Sequence, residues 1–287
     1  MITMTARRAL LFLLLAGVGS AQPRRIVSTA PSITEMLYAL GLGDRVVGVT
    51  TYCHYPPEAA KKPKIGTYIE PDLEAIASLK PDLVIIQKNP VQLQAKLERL
   101  NLHVLEVRHD NIAQVFESIR KIGGAAGAQD RAAQLVGSLR SKLDAIHSRI
   151  TQLPGTRVMF IVGRAPNRIE DIIVIGQASY LNELMEQAGG VNIFRDSVAP
   201  YPKVGMEEIL ARNPDVIVDM GDMAQTVGVT EQHKKSVVAL WNRYPSLNAV
   251  RNHRVFAVAA DVYVVPGPRM VDAARQFGRM LHPGAGL

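Results

Sequence analysis

The sequence predicts an α/β fold: two small α/β lobes with mostly parallel sheets, joined by one long α-helix. Three observations carry this. From Arg24 onward, short apolar runs alternate with stretches of helical spacing; one eighteen-residue phrase occurs twice; and a long amphipathic stretch lies between the two copies. The phrase is YIEPDLEAIASLKPDLVI at 68–85 and YPKVGMEEILARNPDVIV at 201–218, aligned without a gap at an offset of 133. Tyr68 meets Tyr201, Glu74 meets Glu207, Ile76 meets Ile209, and Pro81-Asp82 meets Pro214-Asp215. The apolar rhythm repeats as well, with Leu83-Val84-Ile85 against Val216-Ile217-Val218, which points to an internal duplication.

In chain order, MITMTARRALLFLLLAGVGSAQP reads as a cleavable export leader: Arg7 and Arg8, an apolar run, then Gly19, Ser20 and Ala21. Cleavage is expected after Ala21, leaving a soluble, periplasmic protein. The apolar run is too short for a membrane span of roughly 20 residues. No cysteine lies at the junction, so no lipid anchor is expected there.

RRIVST reads as a strand, SITEMLYALG as a helix ended by Gly41, and RVVGVT as a strand. DLEAIASL is a helix with carboxylates in its first turn, where they favour the macrodipole; Pro81 stops it. DLVIIQ lacks polar alternation, as expected of a strand covered on both faces. VQLQAKLERL, HVLEV and IAQVFESIRKIGG continue as helix, strand and helix.

The second half repeats the scheme. RVMFIVG, DVIVDM and RVFAVA read as strands; YLNELMEQAGG, MEEILARN, VVALWNRY and PRMVDAARQFGRML read as helices. Between the halves, Leu135, Leu139, Leu143, Ile146, Ile150 and Leu153 share one helical face, and Pro154-Gly155 ends it. The expected organisation is a leader at 1–21, an N-terminal lobe at 22–125, a connecting helix at 126–154 and a C-terminal lobe at 155–287. A stiff helical connector predicts small rocking of the lobes rather than wide closure.

The formal charge of +7 falls by two when Arg7 and Arg8 leave, and the remaining basic residues are scattered. Aromatics make up 5% of the chain, too few for a basic face interleaved with stacking platforms, so no nucleic-acid partner is expected. Cys53 alone permits no intrachain disulfide and reads as a buried, inert thiol. Signatures of catalysis are missing: there is no G-x-S-x-G and no H-E-x-x-H. GLGDRVVG at 41–48 runs from helix to strand, the wrong order for a phosphate cradle. His54 and His109 follow strands and could ligate a metal, but spacing supplies no set of converging ligands. No enzyme, no catalytic residue and no resident metal or cofactor is expected.

Tyrosines are the better signal. Tyr52 and Tyr55 follow one strand, Tyr68 and Tyr201 precede the repeated helices, and Tyr263 follows another strand. Ligands of open α/β sheets bind beyond the carboxyl ends of strands. A tyrosine there offers a flat apolar body with a polar tip.

The phrases RRIVSTAPSITEMLYALGLGDRVVGVTTYCHYPPEA, KIGTYIEPDLEAIASLKPDLVI, GGVNIFRDSVAPYPKVGMEEILARNPDVIV and PSLNAVRNHRVFAVAADVYVVPGPRMVDAARQ resemble the ABC-importer solute-binding proteins with a helical backbone, which carry cobalamin, ferric siderophores and haem. The resemblance covers nearly the whole mature chain and is nearest to the cobalamin-binding members. It implies a ligand clamped between two lobes and delivery to an inner-membrane permease dimer with its ATPase by a monomeric binding protein. It implies permease docking through Glu74 and Glu207, and ligand contacts from Tyr52, Tyr68, Tyr201, Tyr263, Asp261 and Arg269. Cobalamin binders of this group often place Trp where Tyr68 and Tyr201 stand, and the segment VVPGP is more apolar here than in them. Haem-binding relatives place a ligating tyrosine at the position of Thr67, where the neighbouring Tyr68 could substitute. For a ferric siderophore, Arg164, Arg168, Lys203 and Arg269 are the cations that would serve.

Overall fold

The structure is a computed structural model that describes residues 22–88, 92–221, 229–259 and 261–287. The leader expected at 1–21 lies outside the described residues.

Both lobes grow from strands whose side chains are apolar on both faces. In the first, β1 (Ile26–Ser28), β2 (Val46–Val49), β3 (Leu83–Gln87) and β4 (Val104–Val107) form a sheet of order β2-β1-β3-β4, parallel throughout. Its helices are α1 (Pro31–Ala39), α2 (Pro57–Ala60), α3 (Leu73–Ser78), α4 (Leu93–Glu98) and α5 (Ile112–Ala125). Asp72 caps α3 by accepting from the Ala75 amide at 2.9 Å, and Asn111 caps α5 by accepting from Gln114 at 2.8 Å. The chain leaves α1 through Gly41 at φ +67, a left-handed position that suits glycine.

After α6 (Gln129–Ile150), the second lobe comprises β5 (Thr156–Gly163), β6 (Ile172–Val174), α7 (Tyr180–Gln187), β7 (Gly190–Asn192), β8 (Lys203–Val204), α8 (Met206–Arg212), β9 (Val216–Asp219), α9 (Glu231–Trp241), α10 (Asn248–Arg251), β10 (Val255–Ala257), α11 (Asp261–Val264) and α12 (Met270–Leu281). The sheet runs β10-β9-β5-β6-β8, with β7 also on β5. The duplication is visible in the topology. Helices α3 and α8 start 133 residues apart, as do strands β3 and β9. Just as β3 lies between β1 and β4, β9 lies between β5 and β10; β2 pairs with β1 as β7 pairs with β5.

Two features differ from the sequence reading. Strand β6 runs antiparallel in the otherwise parallel second sheet, and β8 pairs antiparallel with β6. With three and two residues, they are too short to show a period. The connector also does more than bridge. Its buried stripe is Ala132, Val136, Leu139, Leu143, Ile146 and Ile150, while Leu153 lies beyond the helix end, 41% exposed. The helix, about 33 Å long by its 22 residues, packs on α5, α7 and α12. A single core passes through it, holding Ile26, Leu37 and Ile119 of the first lobe together with Phe160, Leu184 and Phe277 of the second. Two smaller cores seal the outer faces, around Ile76 and Leu97 in one lobe and Ile217 and Trp241 in the other.

A core shared in this way predicts one cooperative unfolding transition for both lobes. Leu143→Ala should lower the urea-unfolding free energy by about 2–5 kcal/mol, and Leu153→Ala by less than about 0.5 kcal/mol. Two separate transitions would contradict the shared core.

Candidate functional site

The carboxyl ends of three neighbouring strands of the first lobe open on one cavity of about 540 Å³. The turn after β1 brings Ser32, the loop after β2 brings Tyr52 and His54, and β3 ends at Gln87. The loop before α3 adds Tyr68 to the same wall. The opposite wall belongs to the second lobe: Asp261 and Val264 of α11, then Val265 and Pro266.

Local sequence explains the placement. In the loop after β2, Cys53 turns into the core, its sulfur 3.2 Å from Thr34 Oγ1 and 3.1 Å from Thr50 Oγ1. Burial pushes the thiol above its ordinary pKa, so it stays protonated, as its inert reading requires. With Cys53 anchored, its neighbours Tyr52 and His54 are left exposed at the cavity. Tyr68 sits on a tight loop closed by a bridge between Gly66 and Pro71, with the Thr67 amide donating to the Glu70 carbonyl at 3.0 Å. Gly66, at φ +85, is obligatory there: a Cβ would lie 2.4 Å from the Glu70 carbonyl oxygen. The Tyr68 hydroxyl donates to the Lys88 carbonyl at 3.1 Å, fixing the ring against the end of β3.

Tyr201 is 52% exposed on the loop before β8 and is not among the residues of the cavity wall. Partial burial, with a smaller contribution from the charge of Asp110, raises the phenol pKa of Tyr68. A second opening of about 850 Å³ runs between Asp110 and Asn111 of the first lobe and Gln177, Glu183 and Arg195 of the second.

Two further expected ligand contacts lie off this cavity wall. Tyr263 is a core residue, 1% exposed, with its ring 5.6 Å from Phe160 and 5.1 Å from Phe277. The short helix α11, unforeseen in the sequence, turns Tyr263 inward, and its hydroxyl hydrogen-bonds Gln276 at 2.7 Å. Arg269 is committed inside the protein. Its Nε donates to Glu35 Oε2 at 3.0 Å, a second nitrogen donates to Oε1, and Asp261 lies 3.1 Å away. The guanidinium also lies over the Tyr55 ring, 4.2 Å from its centroid, which turns Tyr55 away from the cavity.

Sequence reasoning missed Glu35. It lies on the buried face of α1 beside Met36 and Leu37, 4% exposed, and a carboxylate in such a face needs a partner. That partner stands 234 residues away, on the other lobe. Burial, opposed by Arg269, pushes Glu35 up to about 7. Burial disfavours the Arg269 charge, but the bond and charge of Glu35 outweigh it and hold the guanidinium above its ordinary value. The carboxyl is therefore the member of the pair that can take a proton near neutral pH.

The other candidate cations are also engaged. Arg164 is buried against Asp219 at 2.9 Å, and Asp219 further accepts from the Trp241 indole at 2.7 Å. Arg168 pairs with Glu170 at 3.2 Å, and Lys203 with Asp171 at 2.7 Å. His109 is buried, its Nδ1 3.1 Å from the Ser32 hydroxyl; burial, only partly offset by Asp110, pushes it down to about 4, which keeps it neutral. Among the described residues, no three His, Cys, Asp or Glu side chains form a metal-binding group. Glu74 and Glu207 are exposed in the first turns of α3 and α8. Glu208 is taken up by Arg212 at 2.9 Å, which distinguishes it from Glu207.

The periplasmic binding protein family matches residues 26–262. An uncharacterised ABC transporter substrate-binding lipoprotein of Bacillus subtilis, YvrC, is 33% identical over 270 residues, covering 91% of this chain and 81% of its own. The solved structure of the periplasmic vitamin B12-binding protein BtuF of Vibrio cholerae superposes with a TM-score of 0.78 at 29% identity, covering 93% of this chain and 99% of that one. The apo form of the periplasmic haem-binding protein RhuT from Roseiflexus superposes with a TM-score of 0.76 at 25% identity, covering 91% and 99%.

Removing Arg269 strands the Glu35 carboxyl in the lobe interface. Arg269→Ala is expected to cost about 3–5 kcal/mol at pH 8. With the folded pKa of Glu35 lying above its unfolded value, the stability it contributes is present at low pH and lost as pH rises through about 7. The variant's deficit should therefore shrink at pH 5. Urea titrations at the two pH values read it, and a deficit independent of pH would contradict a stranded carboxyl.

Proposed function

We propose that this chain, which belongs to the periplasmic binding protein family, captures cobalamin or a related corrinoid in the cleft between its lobes and delivers it to the permease of an ABC importer. It does so as a non-catalytic, monomeric carrier, exported through the leader at 1–21. The observation that carries the reading is the character of the cleft: aromatic and apolar surface with a few polar groups and, among the described residues, no Lys or Arg on the wall. Tyr52 and Tyr68 face Val264, Val265 and Pro266 across it, with Gln87 and Asp261 at hand for amides. This suits a large, flat ligand with an apolar ring and polar arms. The likeness to BtuF supports the same class of ligand.

An anionic ferric chelate would need free guanidinium or ammonium groups. Arg164, Arg168, Lys203 and Arg269 are each engaged by a carboxylate of the protein itself. Haem is the alternative favoured by the likeness to RhuT. Thr67, at the position of the ligating tyrosine of haem binders, instead accepts from the Glu70 amide at 2.9 Å within its turn.

Docking falls to Glu74 and Glu207. Duplication places one exposed carboxylate at the start of an equivalent helix on each lobe, neither in an ion pair among the described residues. Matched charges of this kind suit a two-fold symmetric permease.

Calorimetric titration of residues 22–287 with cyanocobalamin should give a one-to-one isotherm, weakened about tenfold or more by Tyr52→Ala or Tyr68→Ala. No heat with cobalamin, but saturation with haem or a ferric siderophore, would overturn the ligand. In cells or proteoliposomes carrying the permease, Glu74→Arg combined with Glu207→Arg should abolish uptake while cyanocobalamin affinity stays unchanged. Full uptake by that double variant would overturn the docking assignment.

A further inference from the structure

His54 has no part in holding the fold, and it stands on the wall of the cleft. His109 is bonded to Ser32, His147 lies 3.4 Å from the Gln187 carbonyl, and His282 Nε2 lies 3.2 Å from the Gly189 carbonyl. The His54 imidazole is exposed at the cavity that it lines with Tyr52 and Tyr68, with no hydrogen bond or ion pair among the described residues.

Its backbone is nonetheless held firmly. The Thr51 amide and hydroxyl both donate to the Gly66 carbonyl, at 2.9 and 3.1 Å, tying this loop to the one that carries Tyr68. On one side of His54, the Cys53 side chain is fully buried; on the other, the Tyr55 ring lies under Arg269. Anchoring both neighbours presents an imidazole to the ligand at little further entropic cost.

We propose that His54 donates a ring nitrogen to the central metal of a bound corrinoid whose axial position is open to exchange, which makes it a specificity-determining residue of this cleft. The proposal rests on the corrinoid reading above. A single protein ligand suffices because the macrocycle supplies the equatorial nitrogens. Imidazole is a suitable donor for a first-row metal of this kind. In the exchange, the cobalt–oxygen bond to an axial water breaks and the water leaves with its electron pair. The lone pair of a neutral imidazole nitrogen forms the cobalt–nitrogen bond in its place. Cobalt keeps its oxidation state, and no proton moves. A corrinoid with both axial positions blocked by cyanide would be held by the cleft walls alone.

Absorbance and calorimetric titrations with diaquocobinamide and dicyanocobinamide test this. For the wild type, diaquocobinamide should bind one-to-one with a shift of its visible bands, and dicyanocobinamide should bind without one. His54→Ala, whose melting temperature should match the wild type because the side chain is exposed, should lose the shift and bind diaquocobinamide about tenfold or more weakly. Its affinity for dicyanocobinamide should fall much less, by the loss of wall contact alone. Heat without a band shift in the wild type, or a shift and affinity retained in His54→Ala, would overturn the role of His54 and leave the corrinoid reading standing. No heat from either cobinamide, or from cyanocobalamin, would overturn both.

Discussion

The structure depends on one constraint: two lobes built by duplication share a single core, and α6 runs through it. Its stripe from Ala132 to Ile150 is buried between α5 of one lobe and α7 and α12 of the other. Water-free packing of this kind cannot slide without opening voids. The ion pair of Glu35 and Arg269 adds a directional tie across the same seam, from α1 to the turn before α12. A buried pair of this sort contributes little net stability, yet breaking it strands a charge. Its effect is to fix which side chains face each other across the cleft.

The chemistry of the cleft follows from that rigidity. Arg269 is held by Glu35 and Asp261, and the cavity is lined on that side by Asp261 and the apolar segment Val264–Pro266. Because Cys53 is buried and the Tyr55 ring is stacked under Arg269, Tyr52 and His54 are left to line the cavity. A ligand entering this cavity would meet a wall that is already formed, so less binding free energy would be lost to ordering it. The same duplication sets Glu74 and Glu207 in the first turns of equivalent helices, one on each lobe.

Much of this is legible in the sequence. Strands such as Leu83–Gln87 are continuous apolar runs, and helices such as Ile112–Ala125 carry both a cap and a period, so local pattern is enough to find them. The repeat at offset 133 returns as equivalent helices and strands. Other features depend on distance along the chain. Glu35 and Arg269 are 234 residues apart, and nothing local to either announces the pair. Tyr263 follows a strand, as a cleft residue would, but the four residues of α11 rotate it into the core. The strands β6 and β8 are held by their neighbours rather than by any period of their own. Of the five tyrosines the sequence singles out, only Tyr52 and Tyr68 line the cavity, together with the apolar loop; the side chains whose partners lie across the cleft were not legible.

The most direct measurement of the central claim is a crystal structure of residues 22–287 with cyanocobalamin. The account predicts density for the macrocycle between Tyr52 and Tyr68 on one side and Val264–Pro266 on the other, with Arg269 still bonded to Glu35. Density for the ligand outside this cleft, or Arg269 released from Glu35 to meet the ligand, would contradict it.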